Sequence, residues 1–407
     1  MELTIEKITE LVGSNESYTV SQDILKQLMN AKQREEMFNR FLSVQDDLTF
    51  DWFTEFFQEI YSDRKDKKQD FTPKELVNLA SKIASSTTSN ADIGGGTGGL
   101  TIRRWVDNPE TTLYAEEFSD AVIPFLLFNL AIRNTNAIVR HGDALHQDFK
   151  TTYKLTKGEQ FSTIETIINY HSSNVDTTVM NPPFSMKWER DKDYISDPRF
   201  KDYGLAPAGK SDYAFLLTGL SKLSDNGTLV AIMSPGILFR GGAEGDIREN
   251  LLKADLIDTI IQLPEKTFLK TPTGVIMVVL KKNRKNKNVL VIDASDEFEK
   301  VGKFNVVTPE HQDNIFNAYS DRKNVDRLAN VVGLDEIEAN DFNLNISLYV
   351  DRFVAEPEID LYETYKELQE IEPKITEAES ELQSMISQLV ASTPETEKFL
   401  KEVANVS

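Results

Sequence analysis

The chain contains no cysteine, which excludes disulfide bonds, thiolate metal sites and a cysteine nucleophile. Histidine is scarce too. His141, His146, His171 and His311 are the four present, and none has metal-ligand spacing to nearby carboxylates, so no metal is expected. No apolar run approaches the roughly 18 residues of a membrane span, and no membrane partner is expected. Met1 to Thr9 carries Glu2, Glu6 and Lys7 without an apolar stretch, which does not read as a secretory signal. A cytoplasmic protein is the simplest reading. Positive charge is also short: 45 Lys and Arg stand against 66 Asp and Glu, a net charge of −21. Affinity for DNA comes largely from Lys and Arg neutralising phosphates. Such a chain is expected to grip DNA weakly alone, with a partner supplying most of the hold.

What is present is a 407-residue chain, 40% hydrophobic, long enough for two or three domains. Residues 1–64 read as a helical region: Ile24, Leu25 and Leu28, then Met37, Phe38, Phe41 and Leu42, then Trp52, Phe53, Phe56, Phe57 and Ile60 recur at helical spacing. Ser21 and Asp47 are the expected caps. Arg64-Lys65-Asp66-Lys67-Lys68 is a charged linker. Thr72, Pro73 and Glu75 suit a helix start, with Thr72 capping and Pro73 in the first turn.

From residue 65 to about 300, short β-prone runs alternate with helical patterns such as Ala121–Ile132 and Tyr213–Leu223. The runs are Thr111–Ala115, Ala137–Arg140, Val175–Met180, Thr228–Met233, Asp258–Leu263 and Val275–Leu280. This predicts an α/β fold with a mainly parallel sheet. The last two runs lack a helix between them and predict a terminal antiparallel hairpin. Residues 301–355 read as a connecting segment.

Three sites on this frame carry chemistry. Val175–Met180 ends in Asn181-Pro182-Pro183-Phe184. Two prolines cannot continue a strand ladder, so Asn181 is fixed at the carboxyl end of a strand, where open α/β sheets hold ligands. The Asn181 amide, the Pro182 carbonyl and the Phe184 ring form a clamp for a planar group with an exocyclic amino nitrogen. The alternative is a simple turn closing the strand. Asp92-Ile93-Gly94-Gly95-Gly96-Thr97-Gly98-Gly99 is a glycine-rich turn of the nucleotide-binding kind, though the strand expected before it, Ser85–Ile93, is polar. About twenty residues on, Glu116-Glu117 is placed to accept bonds from ribose hydroxyls. Asp143, after the third strand, either faces the same cleft and takes an adenine amino group or is a turn aspartate.

Ser185 to Lys210 is a long polar stretch in which Trp188, Tyr194, Phe200 and Tyr203 mix with Lys187, Arg190, Lys192, Arg199 and Lys201. It reads equally as a base-contacting lid or as an insertion packed on the sheet edge. Lys281 to Lys287 is the densest basic run, either a phosphate contact or a solvated turn. Near the end, in the region 356–407, Leu361, Leu368, Ile375, Leu382 and Leu389 fall seven apart, with Ile371, Ala378 and Met385 on the companion seam. This heptad pattern predicts coiled-coil-like helices that seek a partner helix, divided or kinked at Pro373.

The order of glycine-rich turn, acidic pair, Asp143 and Asn-Pro-Pro-Phe resembles the amino-group methyltransferases that use S-adenosylmethionine, in their gamma arrangement. Phe71-Thr72-Pro73 resembles the additional cofactor-contact motif of that class. Asp212-Tyr213-Ala214-Phe215, Asn226-Gly227, the segment Leu238 to Arg248 around Gly241-Gly242, and Ile261-Gln262-Leu263-Pro264 look like the modification subunit of type I restriction–modification systems. The likeness covers residues 65 to 295. It implies a Rossmann-like fold and methylation of adenine N6 in double-stranded DNA, with the base flipped from the duplex. Cofactor contacts would fall at Phe71, Thr72, Pro73, Asp92, Gly94, Gly96, Thr97, Gly98, Glu117 and Asp143, and catalysis at Asn181, Pro182, Pro183 and Phe184. It implies as partners a specificity subunit bound through the C-terminal helices, a second modification subunit and a restriction endonuclease subunit. The family turn has Pro and Cys where Ile93 and Gly95 stand, a change expected to alter stiffness rather than binding, because backbone amides are expected to hold the cofactor. Rival readings are an RNA or protein-glutamine methyltransferase, or a catalytically weak cofactor-binding scaffold.

Overall fold

The computed structural model describes residues 3–60, 71–168, 170, 174–268, 274–353 and 360–404. The charged run at Arg64 to Lys68, His171 and Pro272 lie outside them. The chain divides into two units, Met1–Arg352 and Phe353–Ser407.

In the first unit, α1 (Ile5–Val12), α2 (Val20–Leu28), α3 (Ala31–Leu42) and α4 (Thr54–Ile60) precede α5 (Lys74–Ala84). There follow β1 (Ser89–Ile93), α6 (Gly99–Asp107), β2 (Thr112–Glu117), α7 (Ile123–Ile132), β3 (Ala137–Asp143), β4 (Asp148–Thr156), β5 (Thr163–Ile167) and β6 (Val175–Met180). Next come α8 (Asp212–Ser221), β7 (Leu223–Met233), α9 (Ala243–Lys253), β8 (Ile257–Gln262), β9 (Ile276–Lys281) and β10 (Val289–Asp293). A small hairpin, β11 (Glu299–Val301) and β12 (Phe304–Val306), leads to α10 (Pro309–Asp321), β13 (Ala329–Val332) and α11 (Leu334–Ala339).

Eleven strands form one sheet in the order β13-β10-β8-β9-β7-β6-β1-β2-β3-β4-β5. The centre, β3-β2-β1-β6-β7, is parallel throughout. The hairpin expected near residue 270 is β8 and β9, and β9 runs antiparallel to both of its neighbours, β7 and β8. The sequence reading missed β4 and β5, which extend one edge as an antiparallel meander. It also read 301–355 as a connector, whereas β13 from that stretch pairs with β10 at the other edge.

Strand side chains alternate between faces, and the core follows that alternation. On β7, Leu229, Ala231 and Met233 join the cluster under α8 and α9, while Val230 and Ile232 join the cluster under α5 and α10. The aromatic faces of α3 and α4 pack on α7, where Phe128 meets Phe38 and Phe41 edge-on at centroid distances of 4.8 Å each. The 1–64 region therefore shares a core with the sheet domain. The polar β1 is buried because its side chains are paired: Asn90 Oδ1 accepts from Thr177 at 2.8 Å, and Asp92 Oδ2 from Thr101 at 2.8 Å.

Three expected caps are corrected. Ser21 lies inside α2, and its hydroxyl donates to the Ala121 carbonyl at 2.8 Å. Asp47 caps no helix. Asp51 stands before α4 instead, accepting from Phe53 N and the Thr54 hydroxyl. Thr72 does not cap α5, whose cap position is Pro73 with no side-chain bond.

The second unit contains α12 (Leu361–Ser387) and α13 (Pro394–Ala404). α12 continues through Pro373 as one helix, so of the expected division or kink the division is not seen. Leu361, Leu368, Ile375 and Leu382 on α12, and Leu389 just beyond it, are all at least half exposed.

Candidate active site

β1, β2, β3 and β6 are parallel neighbours, so their carboxyl ends open on one edge. The residues at those ends, Gly94 after β1, Glu117 closing β2, Asp143 closing β3 and Asn181 after β6, line a cavity of about 260 Å³. Phe71, Thr72, Asp92, Gly96, Pro182, Pro183 and Phe184 line it as well. Three of the expected site residues, Pro73, Thr97 and Gly98, do not reach this lining.

The glycine turn is packed closely against its neighbours. Gly96 has φ +55, and an added Cβ would sit 3.2 Å from the Phe71 ring. Gly98 has φ +107, and its Cβ would meet Leu126 Cδ1 at 3.1 Å. Gly95, where the family pattern has Cys, has ordinary room, with its nearest neighbour at 3.5 Å. Three of the turn's amides are bonded to the next strand. Gly94 and Gly95 donate to the Glu116 carbonyl, at 2.8 and 3.0 Å, and Gly96 donates to Glu117 Oε2 at 2.9 Å. These N–H groups fasten the turn to β2.

Thr97 points away from the cavity. It is fully buried, and its hydroxyl donates to Asp51 Oδ2 in the loop before α4. Asn129 Nδ2 donates to both Asp51 Oδ1 and the Thr97 carbonyl, at 2.7 and 2.8 Å. Arg133 Nε donates to the Leu48 carbonyl at 2.8 Å. The N-terminal region thus clasps the back of the cofactor turn, and Thr54 from α4 reaches the cavity wall. Helical periodicity in the sequence signals the packing of this region but not the clasp.

Asp92 is about 1% exposed, and its Oδ1 has no hydrogen-bond partner among the described residues. Burial pushes its carboxyl up to about 7; the Thr101 bond works against this and the charge of Glu117 adds to it. Glu116 is partnered by Arg140 at 3.1 Å and Lys222 at 2.7 Å. Asp143 Oδ1 accepts from Leu145 N and His146 N, and Oδ2 contacts His146 Nδ1 at 2.7 Å. Asp143 is therefore a turn aspartate and a cavity residue at once. His146 Nε2 in turn meets the Glu189 carbonyl at 2.5 Å.

That contact leads to the 185–210 stretch, which is folded inward. Trp188 and Phe200 are buried, and Trp188 stacks on Tyr194 with an interplanar angle of 1°. Arg199 is buried on Asp197 and on the carbonyls of Ala144 and Leu145. Lys187, Arg190, Lys192 and Lys201 remain exposed. The clamp's exit is also fixed: Ser185 N donates to Asp212 Oδ1 at 3.2 Å, and Arg240 lies 3.8 Å from Asp212 Oδ2 while pairing with Glu244 at 2.9 Å. The segment around Gly241 thus supports the clamp from behind. The basic run at 281–287 is partly spent internally, Lys281 on Asp258 and Arg284 on Asp255 and Asp258.

A sheet with a parallel centre, in which β9 runs antiparallel beside β7, and with a cavity over the carboxyl ends of β1, β2, β3 and β6, is the Rossmann-like fold of the S-adenosylmethionine-dependent methyltransferases. Solved structures bear this out, including a putative class I S-adenosylmethionine-dependent methyltransferase from Listeria monocytogenes, with TM-score 0.51, 14% identity and coverage of 78% of this chain and 92% of that one. Residues 45–357 match the N-6 DNA methylase family, and the chain belongs to that family. It is 29% identical over 333 residues to the type I restriction enzyme MpnII methylase subunit of Mycoplasma pneumoniae, covering 78% of this chain and 60% of the relative. It is 31% identical over 336 residues to the MjaVII methylase subunit of Methanocaldococcus jannaschii, covering 77% and 54%. The chain thus spans little more than half the length of these relatives. The type I restriction–modification methyltransferase subunit from Streptococcus thermophilus superposes with TM-score 0.66 at 28% identity, over 86% of this chain and 80% of that one. Among the described residues, no helix is long and apolar enough to cross a membrane.

Proposed function

We propose that this protein methylates the N6 amino group of adenine in double-stranded DNA, using S-adenosylmethionine, as the modification subunit of a type I restriction–modification complex in the cytoplasm. The observation that carries the reading is the junction of turn and clamp: a Cβ on Gly94 would lie 3.8 Å from Pro182 Cα. A ligand over the turn and a base in the clamp would therefore be neighbours.

The cavity residues fit this cofactor. The buried, unpartnered Asp92 Oδ1 suits its cationic groups, Glu117 its ribose and Asp143 its adenine, with Phe71, Thr72, Pro73, Gly94, Gly96, Thr97 and Gly98 shaping or backing the site. When bound, S-adenosylmethionine supplies an electrophilic methyl group on a sulfonium. The protein's contribution is orientation and electrostatics. Asn181 Oδ1 and the Pro182 carbonyl accept the two hydrogens of the target amino group, which turns its lone pair out of conjugation. Pro183 stiffens the loop. Phe184, itself packed edge-on against Phe268 at 6.2 Å, stacks on the flipped base. The exposed heptad leucines of α12 suit a specificity subunit, and the acidity of the chain suits DNA binding that depends on one. A second modification subunit and a restriction endonuclease subunit complete the proposed assembly.

The test is transfer of labelled methyl from S-adenosylmethionine to unmethylated DNA, by the chain alone and with its co-purifying partner. Methyl-adenine formed only with the partner supports the reading, whereas label in RNA or protein and never in DNA overturns the substrate. Asn181→Ala should lower kcat by about 100-fold or more, the scale of losing one contact to a reacting centre, and spare cofactor binding. Equal loss of both would remove the clamp role from Asn181.

A further inference from the structure

Thr72 lies one residue outside the cap position of α5, which is Pro73. Its hydroxyl goes elsewhere. Thr72 Oγ1 accepts a hydrogen bond from Asn181 Nδ2 at 2.9 Å, across 109 residues of sequence. The bond ties the segment before α5 to the residue at the carboxyl end of β6.

The chemistry of the clamp explains what the contact is for. A side-chain amide has a donor end and an acceptor end. Only the acceptor end can take a hydrogen from a target amino group. A rotated amide would set N–H groups against N–H groups. The donor end therefore needs a partner on the far side, and Thr72 Oγ1 is that partner. The preceding residue reaches the other half of the site, since the Phe71 ring packs against Gly96 in the glycine turn. Two consecutive residues thus touch the cofactor turn and the clamp.

Resting on the adenine-methylation reading, we propose that Thr72 is a positioning residue for Asn181: its hydroxyl fixes the amide with Oδ1 toward the target base, in place of a contact to the cofactor. The geometry ties the clamp's orientation to the segment that closes over the cofactor side of the cavity.

The experiment compares wild type, Thr72→Val and Thr72→Ser in the complex with the co-purifying partner. It measures single-turnover transfer of labelled methyl to unmethylated DNA and, separately, S-adenosylmethionine affinity by calorimetry. Valine keeps the shape and removes the hydroxyl. A misplaced reacting group costs about 10- to 100-fold, so Thr72→Val should lose that much in rate, with cofactor Kd within about threefold and Thr72→Ser within about threefold of wild type. Unchanged transfer by Thr72→Val overturns the inference. So does a cofactor affinity that falls in step with the rate, which would make the hydroxyl a cofactor contact, or a serine variant as slow as the valine one. If Thr72→Val does not fold, Thr72→Ala against Thr72→Ser repeats the comparison. A wild type that never labels DNA refutes the substrate reading instead, and the same variants are then compared on whichever substrate is labelled.

Discussion

Cofactor binding should release a proton near neutral pH, and Asp92 should be its source. In the free protein, burial raises this carboxyl from 3.8 to about 7. At pH 6 roughly a tenth of the molecules carry the anion, and at pH 8 roughly nine-tenths. A ligand bearing sulfonium and ammonium charges in the cavity favours the anion. If the bound state is ionised throughout, affinity follows the ionised fraction and rises about tenfold from pH 6 to pH 8, or about 1.4 kcal/mol. At pH 7, binding should release about half a proton. Calorimetric titration with S-adenosylmethionine in two buffers of different ionisation enthalpy reads that number directly. Asp92→Asn holds no titrating proton and should bind with a flat pH profile between 6 and 8. The sign for stability is opposite. The unfolded chain ionises at 3.8 while the folded one keeps the proton, so the cofactor-free protein loses stability between about pH 4 and pH 7, by up to about 4 kcal/mol. A wild-type affinity independent of pH, or a slope that persists in Asp92→Asn, refutes the reasoning.

Two further outcomes follow from packing. Phe128→Ala removes the ring on which Phe38, Phe41 and Phe53 converge, and should lower the stability of the first unit by about 3–5 kcal/mol in chemical denaturation. A loss under about 1 kcal/mol would mean that the N-terminal helices do not depend on α7. Gly95→Cys should be accepted, because the nearest atom to its Cβ is 3.5 Å away and its φ is not positive. Cofactor Kd should stay within about threefold, with a gain of up to about 1 kcal/mol from reduced chain freedom in the unfolded state. A large loss of cofactor affinity would show that the turn requires glycine there.

The parallel centre of the sheet was legible because each buried strand is a short apolar run separated from the next by a helical period. β4 and β5 were not, since Asp148–Thr156 and Thr163–Ile167 are largely polar runs with few buried positions and no helical period between them. Asn181 and the glycine turn stood out through the chain-stiffening prolines and the glycine density. Cavity neighbours such as Met186 and Leu100 carry no local signal, being apolar residues among many. Thr72 and Asp51 show the limit most plainly. Sequence reading gives Thr72 to a helix start and a cofactor contact and gives Asp51 nothing, yet their side chains bond at a distance to Asn181 and Thr97, which no spacing along the chain reveals.

The aromatic union of α3 and α4 with α7 also sets the order in which the protein can be made. Phe57 leaves the ribosome 71 residues ahead of Phe128, and Phe161, which Phe38 also touches, follows later. At ordinary rates of synthesis the interval to Phe128 is on the order of ten seconds. Through that interval the N-terminal helices carry an apolar face with nothing to cover it, and the glycine turn emerges without the α7 contacts that will later hold its back. The newborn chain is thus most exposed to chaperones and proteases while Asn181, the last strand-end residue of the cavity, has yet to be made.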